Sequence, residues 1–194
     1  MGKAVIQPAT YQIAASFCSP KTITEKSKTV ILATHGIGQA RSHWNSPFRP
    51  KEYNFVEHAI GQGYSVFFYD RLGQGSSQKI SGFTGQINIH VEVLKELSQA
   101  VRSGQYTKAI GKPSKLVLQG FSFGSYITHA AIGTNPEIAD AVILTAIGLN
   151  TTGINANGLL RSFVPRMANK QNKKYKDFDD GYLTWVDKHA QINT

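Results

Sequence analysis

The sequence is poor in cysteine, in charged residues and in long apolar runs, and each shortage excludes a class of protein. Its one cysteine, Cys18, cannot form an intrachain disulfide or a zinc site made of cysteines alone. Charged residues make up 17% of the 194 residues, too few for a disordered chain or a coiled coil. No apolar run approaches the roughly 20 residues that span a bilayer. The composition therefore predicts one soluble globular domain without a membrane span.

Basic residues exceed acidic ones, and the formal net charge is +9. This excess is spread along the chain, and only residues 166–176 form a cluster of lysine and arginine. A nucleic-acid-binding protein concentrates its basic residues on one face or adds an aromatic platform, so we interpret the cluster as a solvated segment. We expect no nucleic-acid partner. The N-terminus lacks the apolar core of a secretory signal, and we therefore expect a cytoplasmic protein.

Predicted strands alternate with predicted helices along the first 150 residues. Short runs rich in β-branched or aromatic residues predict strands at 11–17, 29–33, 64–69, 115–119 and 141–146. Helical spacing of apolar residues predicts helices at 53–60 and 86–102, and a third helix ending near residue 132. Such repeated β–α–β units predict an α/β fold with a doubly wound, mostly parallel sheet. Residues 151–194 are polar and rich in Asn and Lys, which predicts the start of a lid or cap excursion beyond the 1–150 core.

The strongest motif is Gly120-Phe121-Ser122-Phe123-Gly124, which fits the pattern G-x-S-x-G. It directly follows a predicted strand and opens a predicted helix. In that context the two glycines allow a sharp, strained turn that presents the Ser122 hydroxyl as a nucleophile. The simpler alternative is a serine that caps the helix in a glycine turn.

A second glycine-rich turn, residues 34–38, follows another interior strand and can present backbone N–H groups to a developing oxyanion. We predict that the N–H groups of Ile37 and Phe123 form the oxyanion hole, with Gly36 or Gly38 as alternatives to Ile37. The alternative function of this turn is an ordinary strand-to-helix connection. A third turn, residues 70–76, lacks the ending of a phosphate-binding loop, and we interpret it as structural, with its Asp and Arg paired.

These three turns stand in the order and spacing of the α/β-hydrolase superfamily, which the chain resembles over nearly its whole length. More narrowly, Tyr11-Gln12-Ile13, the His35–Gly38 and Asp70–Gly73 turns and Gly181-Tyr182-Leu183 resemble fungal intracellular hydrolases. Members of that group include enzymes of toxin and other secondary-metabolite gene clusters. The resemblance implies a serine hydrolase of the esterase, lipase or thioesterase type that needs no cofactor and no metal.

A serine nucleophile also needs a histidine base that is oriented by a carboxylate. In this superfamily both follow the serine, in the order Ser, Asp or Glu, His. His129 lies seven residues along the helix, about 10 Å from Ser122 at about 1.5 Å per residue, which is too far for a hydrogen bond. His43, His58 and His90 precede Ser122, and we expect them at ordinary surface or cap positions. Asp140 begins a strand and Asn150 carries an amide, so neither fits the triad acid. His189 is the remaining candidate base, and we expect the last strands of the superfamily's sheet to be missing.

Two functional hypotheses follow from these residues. The first is a serine hydrolase acting on a small-molecule carboxylic ester or thioester, with a role in fungal secondary metabolism. The second is a catalytically incomplete α/β-hydrolase fragment that acts as a binding module or has no activity. In either case the missing strands predict an exposed sheet edge at residues 141–146, through which the protein could self-associate.

Overall fold

A five-stranded sheet forms the centre of the protein in the computed structural model, which describes residues 8–150 and 165–185. The strands are β1 (Ala15–Cys18), β2 (Thr29–Thr34), β3 (Ser65–Tyr69), β4 (Lys115–Phe121) and β5 (Ala141–Thr145). Their spatial order is β1-β3-β2-β4-β5. β1 is antiparallel to β3, and the other pairs are parallel. The predicted α/β fold with a mostly parallel sheet is confirmed.

Helices cover both faces of this sheet, as a doubly wound fold requires. The helices are α1 (Pro50–Tyr53), α2 (Phe55–Gly61), α3 (Ile87–Ser103) and α4 (Phe123–Thr134). Along β2 the side chains alternate between the faces, because successive residues of a strand point to opposite sides. Val30 and Leu32 pack with residues of α3 and α4, whereas Ile31 and Ala33 pack with residues of α2.

Two elements differ from the sequence prediction by more than a shift of one or two residues at an end, and each difference has a local cause. The first strand begins at Ala15 and not at residue 11. The residues before it bond instead to the loop after β3, since the carbonyl of Gln12 accepts from the N–H of Gln78. The predicted helix at 53–60 is divided at Asn54, whose side chain accepts a hydrogen bond from the N–H of Glu57 and caps α2.

Residues 165–185 form a small unit separate from the central sheet. It contains β6 (Pro165–Met167), α5 (Ala168–Gln171) and β7 (Leu183–Trp185), and β6 pairs with β7 antiparallel. The Asp179 carboxylate accepts from the N–H of Gly82, and the Tyr182 hydroxyl donates to the carbonyl of Ile80 at 2.7 Å. The unit therefore lies against the loop that follows β3. A lid or cap role for residues 151–194 stays a prediction.

The lysines of the basic cluster are exposed where the structure describes them, as expected of a solvated segment. No helix within residues 8–150 and 165–185 is both long enough and apolar enough to cross a membrane.

Candidate active site

Ser122 stands alone between the end of β4 and the first residue of α4, with φ 52° and ψ −117°. A non-glycine residue in this region of positive φ is strained by about 1–3 kcal/mol and is found mainly at functional sites. The hydroxyl of Ser122 is half-buried and has no hydrogen-bond partner in the part of the chain that the structure describes. It does not cap the helix with its side chain. The structure thus has the sharp, strained turn that the motif predicts.

The two glycines of the motif are required by close packing around this turn. A Cβ on Gly120 would lie 2.5 Å from the Cα of Ser125, and a Cβ on Gly124 would lie 2.8 Å from the carbonyl oxygen of His35 and closer still to that of Thr34. Real Cβ atoms do not approach other atoms so closely. The glycines therefore let α4 begin directly against β2 and β4.

The end of β5 holds the turn in place through two residues that the sequence analysis did not identify. The carbonyl of Thr145 accepts from the N–H of Ser122 at 2.9 Å and from the hydroxyl of Ser125 at 2.7 Å. The Ser125 hydroxyl also accepts from the N–H of Thr145, and the Thr145 hydroxyl donates to the carbonyl of Gly120 at 2.8 Å. Neither residue belongs to a recognisable motif, so only the three-dimensional arrangement identifies them.

The turn after β2 lies beside the Ser122 turn, because Gly36 packs against Phe121. The N–H of Gly36 donates to the side-chain oxygen of Gln39 at 2.9 Å, which removes Gly36 from the candidate oxyanion donors. The N–H groups of Ile37, Gly38 and Phe123 have no acceptor among the described residues, so Gly38 stays an alternative to Ile37. Ile37 is 56% exposed.

The prediction that Asp70 pairs with Arg71 is wrong. The Asp70 carboxylate accepts from the N–H of Arg41 and from its guanidinium at 2.9 Å, and also from the N–H of Ser76. The buried Arg71 guanidinium instead donates to the carbonyl of Gly36 and lies over the Phe123 ring, 4.9 Å from its centroid. Asp70 thus bonds to Arg41 and Arg71 to the turn after β2, so these neighbours in sequence have different partners.

His35 is fully buried and linked to the same turn. Its Nδ1 lies 2.9 Å from the carbonyl oxygen of Gly36, and its Nε2 accepts from the N–H of Arg71 at 3.1 Å. A carbonyl can only accept, so the proton is on Nδ1 and the ring is neutral. Burial, with a contribution from the nearby Arg71, lowers the pKa of His35 to about 4.

His90 is buried as well, contrary to the prediction of an ordinary surface or cap position. It lies on the face of α3 that meets α4, with its ring edge-on to that of Phe123 at 6.2 Å between centroids. Burial lowers its pKa to about 4. The two other early histidines differ: His58 is exposed, and His43 is half-buried with its ring 4.5 Å from that of Phe121.

No histidine within residues 8–150 and 165–185 hydrogen-bonds the hydroxyl of Ser122. His129 is exposed on α4, and His189 lies outside the described residues. Asp140 precedes β5, accepts from the N–H of Leu116 and forms an ion pair with Arg102 at 3.0 Å. That hydrogen bond and the neighbouring cations lower the pKa of Asp140. It therefore lies at the amino ends of the parallel strands, opposite the edge that carries Ser122.

An open cavity of about 520 Å³ adjoins the Ile37 turn. Gly38, Ser42, His43 and Gln74 are among its lining residues, and none of the lining side chains is an acid, lysine or arginine. Among the residues that the structure describes, no group of three metal-ligating side chains is present.

The sequence matches, over residues 25–180, the protein family described as serine aminopeptidase, S33. Because that match covers most of the chain, the protein belongs to this family of α/β hydrolases. No curated protein sequence matches the chain significantly.

Three solved structures illustrate the similarity of fold. The epoxide hydrolase VrEH1 from Vigna radiata is 14% identical, with a TM-score of 0.53 over 80% of this chain and 44% of its own. The α/β hydrolase MGS-M2 from a deep-sea metagenome library of the Medee basin is 18% identical, with a TM-score of 0.51, over 90% of this chain and 52% of its own. A lipase-esterase related protein from Clostridium acetobutylicum ATCC 824 is 16% identical, with a TM-score of 0.53, over 94% of this chain and 69% of its own. The chain thus spans about half the length of the first two of these structures and about two thirds of the third.

Proposed function

We propose that the protein is a serine hydrolase of the esterase type, in which Ser122 attacks the carbonyl of a carboxylic ester or thioester. The observation that carries this proposal is the strained backbone of Ser122 between β4 and α4. Proteins retain such strain where it positions a reactive group, and a cap or turn serine does not need it. The family to which the chain belongs is one of serine-dependent hydrolases by its description.

The attack would place a negative charge on the former carbonyl oxygen. The N–H groups of Ile37 and Phe123 are the donors that we assign to this oxyanion, because both lack an acceptor among the described residues. Phe123 is also the first residue of α4, whose N-terminus favours a negative charge. The uncharged cavity beside Ile37 offers space for a neutral part of the substrate.

The base is the remaining requirement, and His189 is the candidate in this chain. Loss of the base of a catalytic triad lowers kcat by on the order of 10⁶, leaving about 10³–10⁴ over water from the oxyanion hole and binding. We therefore expect slow hydrolysis by the 194-residue chain. We expect faster hydrolysis by any longer form that carries a histidine and a carboxylate in the superfamily's order.

A fluorophosphonate probe tests the nucleophile directly, since it reacts with activated serine hydroxyls. We expect peptide mapping to find the label on Ser122, with no labelling in Ser122→Ala and unchanged labelling in the control Ser103→Ala, an exposed helical serine. Absence of labelling in the parent chain would count against an activated serine.

The substrate class is tested by turnover of p-nitrophenyl butyrate, an acyl N-acetylcysteamine thioester and an aminoacyl p-nitroanilide. We expect the first two to react and the third to react least. If His189 is the base, His189→Ala should lower the rate as much as Ser122→Ala does. A role in fungal secondary metabolism rests on the resemblance at residues 11–13, 35–38, 70–73 and 181–183. It predicts a preference for polyketide-like thioesters or lactones over simple butyrates.

The alternative, a binding module without catalysis, is favoured by the absence of a hydrogen bond from Ser122 to any histidine of the described residues. It predicts that an ester analogue that carries no reactive phosphonate group binds with equal affinity to the parent chain and to Ser122→Ala. Equal affinity in calorimetric titrations of both proteins supports this alternative when the parent chain also shows no labelling and no turnover, since the hydrolase requires the hydroxyl for both.

A further inference from the structure

The peptide that joins Gly36 to Ile37 is held from one side by two buried donors. Its carbonyl oxygen accepts from Nη2 of Arg71 at 3.0 Å and from Nδ1 of His35 at 2.9 Å. A trans peptide is planar, so its C=O and its N–H point in opposite directions. Fixing the carbonyl of Gly36 towards the interior therefore fixes the N–H of Ile37 away from it.

Arg71 is an unusual residue for a purely structural position. Its side chain is buried, with 3% of the residue exposed, and its Nε has no partner. No carboxylate within the described residues lies within ion-pair distance of it, since neighbouring Asp70 pairs with Arg41. Burial lowers the pKa of Arg71 to about 10, so the group remains charged at neutral pH. A buried cation that has no counter-ion among the described residues is costly to desolvate, and its hydrogen bonds must offset that cost.

The contacts of the Arg71 guanidinium indicate a role for its positive charge. The guanidinium contacts the Gly36 carbonyl on one side and the ring of Phe123 on the other. Ile37 and Phe123 carry the two N–H groups assigned above to the oxyanion hole. A fixed positive charge beside these donors stabilises negative charge that develops between them, and more so in a buried environment of low dielectric constant.

We propose that Arg71 is a positioning residue for the oxyanion hole: it holds the Gly36–Ile37 peptide so that the Ile37 N–H stays available, and it adds a positive charge behind the two donors. This inference rests on the proposed function, because it assigns the Ile37 N–H to an oxyanion. It adds a residue that the nucleophile motif does not contain.

The experiment compares Arg71→Met, Arg71→Lys and the control Arg41→Met. Arg41→Met disturbs the same loop by removing the partner of Asp70, but it leaves the Gly36 carbonyl untouched. We expect the second-order rate of fluorophosphonate labelling to fall by at least about tenfold in Arg71→Met, as part of the 10²–10³ that one lost donor costs. We expect Arg71→Lys to recover part of the rate, because an ammonium can also donate to Gly36, and Arg41→Met to stay within about twofold of the parent.

A second measurement separates this inference from the proposed function. In ¹⁵N–¹H NMR spectra, the Ile37 amide signal should move or broaden in Arg71→Met and remain in place in Arg41→Met. If the parent chain is not labelled at all, the proposed function fails for this chain, and the amide signal alone decides whether Arg71 orients the peptide. Unchanged labelling in Arg71→Met overturns the proposal, and so does an Ile37 signal that responds equally in both variants. Should Arg71→Met fail to fold, Arg71→Lys is compared with Arg41→Met by the same two criteria.

Discussion

β3 and β5 are both five-residue apolar strands, yet their surroundings differ completely. Every residue of β3 is buried, whereas β5 alternates between exposed and half-buried residues, and Ile143 is 43% exposed. β3 has β1 on one side and β2 on the other, while β5 pairs only with β4 among the described strands. The difference arises from position in the sheet and not from composition.

The open strand is nevertheless connected to the candidate site. Thr145, the last residue of β5, binds the backbone of Ser122 and the hydroxyl of Ser125. The strained turn is thus held on one side by the buried strands β2 and β4, and on the other by a strand with little cover. Stability should therefore respond strongly to changes on the buried side and weakly to changes on the open side.

Acid should produce the largest change in the free energy of unfolding, because two neutral histidines lie on the buried side of the turn. The pKa values of His35 and His90 are lowered from 6.5 to about 4 by burial. Between these values the unfolded chain binds more protons than the folded one, so stability is full above pH 6.5 and is lost as pH falls towards 4. Each histidine should lower the free energy of unfolding by up to about 1.4 kcal/mol per pH unit in this window.

Urea unfolding from pH 7 to pH 4 measures this dependence. The variant His90→Gln should lose about half of the slope, while His58→Gln, at an exposed site, should keep the slope of the parent. The same slope in all three proteins would show that the buried histidines do not control acid stability. The hydrogen bond from Leu116 lowers the pKa of Asp140, so its contribution to stability is also lost with falling pH, but equally in all three proteins, and it cancels in the comparison.

The next largest effect is expected at Gly124, on the buried side of the turn. A methyl group there would overlap the carbonyl oxygens of Thr34 and His35, so Gly124→Ala should lower the free energy of unfolding by about 1–3 kcal/mol and also weaken labelling of Ser122. Gly133 lies in the same helix with open space around it, and Gly133→Ala should stabilise by about 0.5–1 kcal/mol. Denaturant unfolding of both variants makes the comparison, and equal losses would contradict a specific steric requirement at Gly124.

The sequence predicted the strands, the long helix and the serine turn because each depends on local patterns. Alternating apolar residues, helical spacing and the glycines around Ser122 are all visible within about 20 residues. The end of α3 is an example: the helix predicted at 86–102 ends at Ser103, where Gly104 adopts φ 88° at the C-terminal cap.

Contacts between segments far apart in the sequence could not be predicted from local patterns. Nothing in the sequence pairs Asp70 with Arg41, 29 positions earlier, or buries His90 against Phe123. The hydrogen bond between Ser125 and Thr145 joins α4 to the end of β5, and both are common polar residues. Such contacts depend on the packing of the whole sheet, which local patterns do not encode. The roles of Ser122, Ile37, Phe123 and His189 remain predictions.

A smaller change in the free energy of unfolding is expected at Ser125, where the buried and open sides of the turn meet. Ser125→Ala removes a hydroxyl that both donates to and accepts from the backbone of Thr145, leaving the N–H of Thr145 unpaired. We expect a loss of about 1–2 kcal/mol in the free energy of unfolding. Ser103→Ala, at an exposed helical serine, should change it by less than about 0.5 kcal/mol. Thermal unfolding checks both, and a loss in Ser125→Ala no larger than in Ser103→Ala would mean that the link to β5 does not hold the turn.

The smallest effect on stability is expected on the open side, at Ile143 of β5. Among the described strands β5 pairs only with β4, and its apolar face is partly exposed; such edges pair with other chains. We expect the parent protein to associate as its concentration rises. Ile143→Lys should reduce association, because a lysine on an edge opposes strand pairing, while changing the free energy of unfolding by only about 0.5 kcal/mol. Ile23→Lys is a matched control, since Ile23 is 42% exposed but lies outside the sheet. Sedimentation velocity over a concentration series makes the test. A monomeric parent at high concentration, or equal effects of the two lysines, would exclude association through β5.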